Sequence, residues 1–316
     1  MKTAVIIPAY KVKKHILNLI PKIGSEVDFI VVVDDKCPEN SGKFVEENCT
    51  DNRVKVIYNE VNKGVGGAVK RGFEYVLEQN IDIAVKLDGD GQMDPALITR
   101  LIQPIKNKEA DYVKGNRFFN LDTLIRMPKM RLFGNSVLSL INKVVNGYWN
   151  IMDPTNGFVA IHKNALKLLP LKKIDNRYFF ESDMLFRLGT IKAVVQDMPM
   201  DAFYADEESS LSIVKVLFEF PPKYFKRFFK RLFYTYFLRD FNAASIEIVL
   251  GFVFLVFGIS IGSYYWILLS QLGKIASSGT VMLAALPVII GTQLWLSALN
   301  FDAHNIPDKP LCRFEF

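Results

Sequence analysis

Short apolar runs alternate with longer amphipathic stretches in the first third of the chain. Runs rich in β-branched residues predict strands buried on both faces, at residues 4–7, 29–33, 54–58 and 81–87. Helical spacing predicts helices at residues 14–24, 42–48, 67–79 and 95–107. The alternation predicts an α/β fold in which a parallel sheet carries helices on both faces.

The pattern is less regular over the next hundred residues. We expect a loop followed by a helix over residues 116–145, and a turn leading into a short strand over residues 151–161. Helical spacing returns over residues 179–188. Neither an internal repeat nor a low-complexity tract interrupts this part of the chain.

Two long apolar stretches follow. No Asp, Glu, Lys or Arg occurs in the 26 residues between Glu247 and Lys274, or in the 27 residues between Lys274 and Asp302. Each stretch exceeds the roughly 20 residues that cross a bilayer core. They predict a hairpin of two transmembrane helices at about residues 248–270 and 275–301. The alternative is a pair of helices buried in a large soluble core.

Basic and aromatic residues are interleaved before the first apolar stretch. The net charge of the chain is +6, and seven Lys and Arg residues lie within residues 215–239 against the single acid Glu219. This mixture is typical of helices that lie in the headgroup plane of a membrane. The alternative is a helix packed on the domain with a solvated basic face. The sequence pI of about 9.0 also suits nucleic acid, but no nucleic-acid motif accompanies the charge, so we expect no such partner.

The charge distribution also predicts an orientation. Seven basic residues precede the hairpin and two follow it, whereas only Lys274 lies between the two apolar stretches. The positive-inside rule then places the soluble part and both termini in the cytoplasm of a two-span cell-membrane protein. The first apolar run ends at Pro8 after four residues, too few for a signal peptide. Three cysteines at irregular spacing indicate no disulfide framework and no zinc site.

These features divide the chain into four expected regions. A soluble domain should occupy residues 1–210, and amphipathic juxtamembrane helices residues 211–245. The membrane hairpin should occupy residues 246–302, and a cytoplasmic tail residues 303–316.

The most specific local motif is acidic and follows the fourth predicted strand. Asp88 and Asp90 are separated by one glycine and followed by Gln92. Two carboxylates at a strand end suit Mg²⁺, which usually takes one or two protein carboxylates and completes its shell with substrate phosphates. An EF-hand is excluded, because its sixth and twelfth positions would be Met93 and Thr99 instead of Gly and Glu. A solvated acidic turn is the alternative.

Two further motifs follow predicted strands. Glycines at positions 64, 66 and 67 open a predicted helix, where backbone N–H groups could approach a phosphate or a ribose. The segment lacks the third glycine of a dinucleotide fingerprint and the Lys of a P-loop, so a plain turn is the alternative. Asp34 and Asp35 could accept hydrogen bonds from a base or ribose, or could cap the next helix.

The order and spacing of five motifs resemble the family 2 glycosyltransferases, in particular the dolichol-phosphate mannose synthase-like branch. The motifs are Ile6-Ile7-Pro8-Ala9-Tyr10, Val33-Asp34-Asp35, Asn62-Lys63-Gly64 with Gly66-Gly67-Ala68, Asp88-Gly89-Asp90-Gly91-Gln92, and Asp153-Pro154-Thr155-Asn156-Gly157-Phe158. The resemblance covers about residues 1–245. It implies a GT-A fold, with a Rossmann-like and mostly parallel sheet.

The resemblance also implies site residues. Those expected to bind the nucleotide sugar are Pro8, Ala9, Tyr10, Asp34, Asp35, Asn62, Gly64, Gly67, Asp88 and Gly89. The implied metal ligands for Mg²⁺ or Mn²⁺ are Asp88, Asp90 and Gln92. The implied acceptor-phosphate residues are Arg117, Arg131 and Asn156. The implied catalytic carboxylates are Asp90, Asp153, Glu181 and Asp183.

The resemblance implies metal-dependent, inverting transfer of a sugar from GDP-mannose or a UDP-hexose to a polyprenyl or dolichyl phosphate. The implied partners are the nucleotide sugar, the lipid phosphate and the bilayer, and a homo-oligomer stays open. A departure at Lys36-Cys37-Pro38, where relatives carry small residues and Ser, leaves the base undecided. The main alternative is transfer to a hydroxyl of a polysaccharide or glycolipid, which would need a general base. A non-catalytic scaffold and a transporter are weaker alternatives, because the acidic motif is intact and the spans offer no ion path.

Overall fold

The computed structural model describes residues 1–119, 129–201 and 213–314. The chain separates into two compact units. The first comprises Met1–Phe228 together with Pro307–Phe316, and the second comprises Phe229–Ile306. The chain therefore leaves the first unit once and returns to it with its last residues.

The first unit is built on a seven-stranded sheet with the strand order β3-β2-β1-β4-β6-β5-β7. The strands are β1 (Thr3–Ala9), β2 (Phe29–Asp34), β3 (Val54–Tyr58), β4 (Ile83–Lys86), β5 (Tyr112–Asn116), β6 (Val159–His162) and β7 (Val195–Pro199). All neighbouring pairs are parallel except those of β6, which runs antiparallel to β4 and β5. The mixed and mostly parallel sheet confirms the predicted α/β class.

Helices connect the strands and flank the sheet. In the first unit they are α1 (Lys13–Leu19), α2 (Ser41–Asn48), α3 (Val65–Glu78), α4 (Ile98–Lys106), α5 (Lys129–Asn146), α6 (Lys163–Leu168) and α7 (Phe180–Thr190). Short 3₁₀ turns occupy Ile20–Lys22, Pro95–Leu97, Leu171–Lys173 and Leu311–Arg313. The apolar runs of β1 and β2 are buried on both faces, which is why they carry no polar alternation.

Two strands were not predicted from the sequence. Lys114 lies within β5 and Asp197 within β7, so neither segment has a continuous apolar run or a regular alternation. Both strands nevertheless pair in register, from Tyr112 with Val195 to Asn116 with Pro199. Lys114 and Asp197 make their polar contacts with residues that are distant in the sequence, so no local pattern reveals them.

Helix α8 (Ile213–Phe233) carries aromatic residues on two faces. Phe220, Tyr224 and Phe228 form a small apolar cluster with Phe179 and Val145 in the first unit. A second stripe stays exposed, although its members are as apolar as those of the cluster: Phe218, Phe225, Phe229 and Phe233. The packed face agrees with the alternative prediction, a helix packed on the domain. The exposed phenylalanines are typical of a surface that meets lipid.

The second unit contains the two long apolar helices. They are α9 (Ala243–Gln271) and α10 (Ser278–His304), and both are long and apolar enough to cross a membrane. Only 22% of the most apolar window of α9 and 11% of that of α10 are buried, so neither has the environment of a soluble core helix. The helices approach closely where Gly251 faces Gly291, since a Cβ on Gly251 would come within 3.0 Å of the Gly291 carbonyl oxygen.

Polar contacts tie the end of this hairpin to the π-helix Tyr234–Arg239 and the end of α8. Asp302 forms an ion pair with Arg231 and accepts a hydrogen bond from Tyr236 Oη at 2.5 Å. Asn242 and Ser245 cap the start of α9 reciprocally. All of these residues belong to the second unit.

The C-terminal residues pack into the first unit. The buried carboxylate of Asp111, directly before β5, accepts backbone N–H bonds from Leu311 at 2.9 Å, Cys312 at 2.7 Å and Val194 at 2.9 Å. Asn164 Nδ2 donates to the Phe314 carbonyl oxygen at 2.7 Å. The hairpin therefore begins and ends at the same unit.

Candidate active site

A cavity of about 430 Å³ opens beyond the carboxyl ends of β1, β2 and β4. Its lining comprises Pro8, Ala9, Tyr10, Val12, Asp35, Asn62, Gly64, Val65, Ala68, Asp88, Gly89, Asp90, Arg177 and Tyr178. Parallel strands bring together residues that are far apart in the chain, because their carboxyl ends share one edge of the sheet. Most residues expected to bind a nucleotide sugar lie in this lining, but Asp34 and Gly67 do not. Of the expected metal ligands, Asp88 and Asp90 belong to the lining and Gln92 does not.

The two adjacent acids after β2 have different environments. Asp34 is 3% exposed, and its carboxylate accepts backbone N–H bonds from Cys37 at 2.8 Å and Gly42 at 2.6 Å. It therefore stabilises the start of α2. This agrees with the alternative prediction that an acid after β2 caps the next helix instead of binding a ligand. Asp35 lies in the cavity lining and accepts bonds from Asn59, Lys63 and Gly64.

The glycine-rich turn is shaped by a neighbouring loop. Gly64 has a positive φ of 82°, and its N–H donates to Asp35 Oδ2 at 2.7 Å. A Cβ on Gly64 would approach the Asn176 carbonyl oxygen to 2.9 Å. Gly67 lies outside the lining, and its N–H donates to the Asn176 carbonyl oxygen at 3.0 Å. The glycines thus allow residues 174–179 to pack closely on the start of α3.

The acidic motif after β4 contributes two carboxylates to the cavity. Asp88 Oδ1 forms an ion pair with Lys86 Nζ at 2.8 Å, and the Asp88 side chain keeps 28% of its surface exposed. Asp90 Oδ1 accepts the backbone N–H of Gln92 at 3.0 Å, which orients that carboxylate. Gln92 contributes this backbone contact, and its side chain is not part of the lining.

This donor set fits a hard divalent cation that shares its shell with a substrate. Within the described ranges, no group of three or more His, Cys, Asp or Glu side chains could hold a metal alone. Two carboxylates facing an open cavity are the number that Mg²⁺ commonly takes from a protein when phosphates supply the remaining oxygens. Asp88 and Asp90 would therefore hold Mg²⁺ or Mn²⁺ together with a bound diphosphate.

Two lysines that no motif marked are buried in β4 and β5. Lys86 is 1% exposed and contacts Asp88 and, at 3.5 Å, Glu181 Oε1. Burial alone would lower the pKa of Lys86, but the two carboxylates outweigh it and raise the pKa. A Cβ on Gly157 would collide with Lys86 Nζ and come within 2.9 Å of Asp88 Oδ2, so a larger residue there would have to displace the ends of these two side chains.

Lys114, in the middle of β5, is also fully buried. Its ammonium group donates to the Asn156 carbonyl oxygen. Burial lowers its pKa to about 8, although the carboxylates of Glu181 and Asp153 oppose that shift. For Lys86 the available sequence signal was a lysine at the end of an apolar strand, whereas Lys114 lies in a segment without such a pattern.

The acids of the 153–158 motif and of α7 are paired internally. Asp153 is fully buried and binds Arg117 in a bidentate pair, at 2.7 Å to Nε and 3.0 Å to Nη2. Asp183 is fully buried and accepts from Arg227 Nε at 2.9 Å and from the Asp175 backbone N–H at 2.9 Å. Neither side chain lines the cavity, unlike the expectation for catalytic carboxylates that touch the substrate.

The remaining predicted residues have mixed environments. Asn156 is 3% exposed; its Oδ1 accepts the Phe158 N–H at 2.9 Å, which shapes the turn before β6. Arg117 keeps 28% of its side chain exposed beyond its pair with Asp153. Arg131 belongs to α5, and its side chain lies outside the described residues.

The sequence matches the family model for glycosyl transferase family 2 over residues 4–169. The chain belongs to this family. It is a glycosyltransferase, as the motif set predicted.

Named relatives in glycosyl transferase family 2 support the predicted branch. The chain is 34% identical over 215 residues to the UDP-N-acetylglucosamine–dolichyl-phosphate N-acetylglucosaminyltransferase of Methanococcus voltae, covering 64% of this chain and 85% of the relative. It is 28% identical over 204 residues to the undecaprenyl-phosphate mannosyltransferase of Micrococcus luteus, covering 63% and 83%.

Solved structures confirm the GT-A architecture expected for the family. Mannosyl-3-phosphoglycerate synthase from Rubrobacter xylanophilus superposes with a TM-score of 0.53 at 15% identity, covering 77% of each chain. Glucosyl-3-phosphoglycerate synthase from Mycobacterium tuberculosis, in complex with Mn²⁺, uridine diphosphate and phosphoglyceric acid, gives a TM-score of 0.51 at 16% identity, covering 73% of this chain and 78% of that one. At these identities the likeness concerns the fold.

Proposed function

We propose that this glycosyltransferase moves a sugar from a nucleotide diphosphate to a polyprenyl or dolichyl phosphate at the cytoplasmic face of a membrane. One observation carries the proposal. The same chain has a cavity lined by Asp88 and Asp90 and two long, mostly exposed apolar helices. Relatives named as dolichyl- and undecaprenyl-phosphate transferases support the acceptor class.

The donor would bind in the cavity at the end of β1, β2 and β4. Pro8, Ala9 and Tyr10 line one part of it, and Asp35 lies at the start of the glycine-rich turn. Asp88 and Asp90 would hold Mg²⁺ or Mn²⁺, which would neutralise charge on the departing nucleoside diphosphate. The Gln92 N–H would keep Asp90 aimed at that position.

The acceptor phosphate would need to be positioned by the protein, but it would not need a general base. A phosphate oxygen is already ionised at neutral pH, so no side chain has to remove its proton before it attacks the anomeric carbon. Arg117 would bind the acceptor phosphate, because Asp153 orients it through a bidentate pair while part of the guanidinium side chain stays exposed. Arg131 and Asn156 stay proposed contributors to the acceptor side.

The hydroxyl-acceptor alternative requires a general base. Asp153 and Asp183 are buried in ion pairs with Arg117 and Arg227, and Glu181 contacts Lys86. None of the three carboxylates belongs to the cavity lining, and Asp153 and Asp183 are fully buried, so they are poorly placed to take a proton from an acceptor hydroxyl in the cavity. The arrangement therefore favours an acceptor that is already anionic.

Two features support the proposed membrane orientation. The hairpin starts and ends at the unit that carries the cavity, so its two spans would place both connections on one face of the bilayer. Helix α8 exposes a stripe of phenylalanines next to basic residues, as expected for a segment at headgroup depth.

The proposal is tested by supplying membranes that contain the protein with Mg²⁺ or Mn²⁺, radiolabelled UDP- and GDP-sugars, and polyprenyl phosphate. We expect label in the chloroform extract only when polyprenyl phosphate is present. Parallel reactions replace the lipid phosphate with an oligosaccharide or a neutral glycolipid. Label that enters those acceptors and not the lipid phosphate would contradict the proposal in favour of the hydroxyl alternative.

A further inference from the structure

Asp197 in β7 is an acid that no motif marked and that the proposed reaction does not use. It pairs in register with Lys114, so it lies beside the second half of β5. Two segments from elsewhere in the chain meet its carboxylate, namely the end of β5 and the turn before the 153–158 motif. These segments lead directly into the Arg117–Asp153 ion pair on the proposed acceptor side.

One oxygen of the Asp197 carboxylate bonds to both segments. Asn116 Nδ2 donates to Asp197 Oδ2 at 3.0 Å, and the Met152 backbone N–H donates to the same oxygen at 2.8 Å. Asn116 directly precedes Arg117 in the sequence. Met152 directly precedes Asp153. A single oxygen atom therefore connects the residues that come just before the two members of the ion pair.

The geometry of the ion pair depends on how these two segments are aligned. Arg117 donates to Asp153 through Nε at 2.7 Å, through Nη2 at 3.0 Å and through its backbone N–H at 3.3 Å. Asn116 Oδ1 also accepts the Phe118 backbone N–H at 2.9 Å, so Asn116 shapes the backbone on both sides of Arg117. Because backbone and side chain of Arg117 both bond to Asp153, a shift of either segment would redirect the exposed part of the guanidinium group.

Further contacts on each side of Asp197 hold β7 against the same segments. The Met200 N–H donates to the Asn116 carbonyl oxygen at 3.0 Å. Asn150 Nδ2 donates to the Val195 carbonyl oxygen at 3.1 Å. Strand β7 is therefore the common edge on which the two segments are aligned.

The two oxygens of Asp197 have different surroundings. Oδ1 is buried and accepts no hydrogen bond within the described residues, whereas Oδ2 accepts both of the bonds from Asn116 and Met152. One carbonyl oxygen can accept two hydrogen bonds, since it has two lone pairs. An asparagine at this position could thus keep both bonds without the charge, but an alanine would lose both.

We propose that Asp197 is a positioning residue for the acceptor phosphate, because it aligns the segments that carry Arg117 and Asp153. This inference rests on the proposed function, in which Arg117 binds that phosphate. It concerns the acceptor alone. Asp197, Asn116 and Met152 all lie outside the lining of the cavity proposed for the nucleotide sugar.

The first test compares Asp197→Ala with Asp197→Asn in sugar transfer by the full-length protein in detergent. Undecaprenyl phosphate and the UDP- or GDP-sugar that labels it are varied in turn. We expect Asp197→Ala to raise the KM for undecaprenyl phosphate about tenfold and to leave the KM for the nucleotide sugar unchanged. Asp197→Asn should keep the acceptor KM within about twofold of the wild type, since it can retain both hydrogen bonds.

Gln196→Ala is the matched control. It removes the neighbouring side chain of β7, which donates to the Glu109 carbonyl oxygen and contacts neither segment of the ion pair. Both KM values should stay at the wild-type level in this variant. An alanine variant of Asp197 with an unchanged acceptor KM, a parallel rise of both KM values, or an asparagine variant as impaired as the alanine variant would overturn the assignment.

Hydrogen exchange tests the positioning without any substrate. Peptides that cover residues 115–118 and 152–155 should lose protection in Asp197→Ala and keep it in Asp197→Asn, because the N–H groups of Arg117, Phe118 and Met152 are bonded in this arrangement. A wild-type protein that labels no polyprenyl phosphate would contradict the proposed function. The exchange measurement would then decide the positioning role by itself, and unchanged protection in Asp197→Ala would overturn it.

Discussion

Two groups of acidic side chains at the edges of one sheet differ in what their oxygens contact. Asp88 and Asp90 both belong to the lining of the cavity. Asp153 and Asp183 are fully buried, and arginine side chains occupy their carboxylates. The first group resembles a ligand site, whereas the second holds loops and cationic side chains in position.

This difference teaches that an acid in a recognisable motif need not touch the substrate. Asp183 accepts the backbone N–H of Asp175, which in turn orients the backbone N–H of Arg177. Asp153 similarly fixes the guanidinium of Arg117. Removing a cavity acid should therefore reduce activity without reducing stability, and removing a buried acid should reduce stability first.

The largest effect is expected for Asp90→Asn. Its loss should lower sugar transfer by at least about a thousandfold, because one of two proposed metal-binding carboxylates becomes neutral. Thermal unfolding should stay within a few degrees of the wild type. Asp94→Asn is the matched control, since Asp94 is an exposed acid of the same segment whose capping bond to Ala96 an asparagine can retain. Near-normal transfer by Asp90→Asn would remove Asp90 from the proposed site.

Asp153→Asn should mainly affect stability. The variant breaks a fully buried bidentate pair, and Arg117 is partly exposed and can regain water. We expect the free energy of unfolding to fall by about 2–4 kcal/mol. Denaturant unfolding in detergent measures this change, with Asp94→Asn again as the control. An unchanged free energy of unfolding would show that the Asp153 carboxylate does not stabilise the fold. It would contradict the proposed difference between the cavity acids and the buried acids.

Asp197→Asn should give a smaller effect of the opposite sign. Burial raises the pKa of Asp197 to about 6 from an ordinary value near 3.8, although the Met152 backbone hydrogen bond and the charge of Lys114 oppose that shift. A raised carboxylate pKa means that the folded state loses stability as the pH rises from about 4 to about 6 and stays less stable above that range. The asparagine variant lacks this loss, so it should be more stable at pH 7.5 by about 1–3 kcal/mol.

The measurement for Asp197 compares the free energy of unfolding of both proteins at pH 4.5 and pH 7.5. The difference between the proteins isolates Asp197, because other titrating groups are common to both. Asp197 Oδ1 is buried without a hydrogen-bond partner in the described structure, which is consistent with a carboxylate that burial disfavours. Equal pH dependence in the two proteins would contradict the prediction.

Much of the sheet was predictable because its central strands are apolar throughout. The runs that became β1, β2 and β3 lie within one or two residues of their predicted bounds. The strands β5 and β7 were not predictable, because Lys114 and Asp197 interrupt them and are accommodated only by contacts across the sheet. The groups that contact Lys114 and Asp197 are more than 40 residues away in the sequence, so no local pattern could mark these strands.

The candidate site shows the same limit at the level of single residues. The motifs brought Tyr10, Asp35 and Asp88 into one expected pocket, and all three lie in the cavity lining. Asp34 and Asp35 are indistinguishable in the sequence, and only the fold turns one toward helix α2 and the other toward the cavity. Arg177 belongs to no motif, so only the approach of its loop to Gly64 revealed it.

By itself the sequence determined the fold class, the family, the acidic motif and the two apolar helices, because continuous apolar runs and closely spaced acids are local properties. The tertiary structure alone decided which carboxylates face the cavity and which are held by arginines. It also decided that the last residues of the chain return to the catalytic unit through Asp111. The physical reason is that burial and pairing depend on which segments meet, and those segments lie up to about 200 residues apart in the chain.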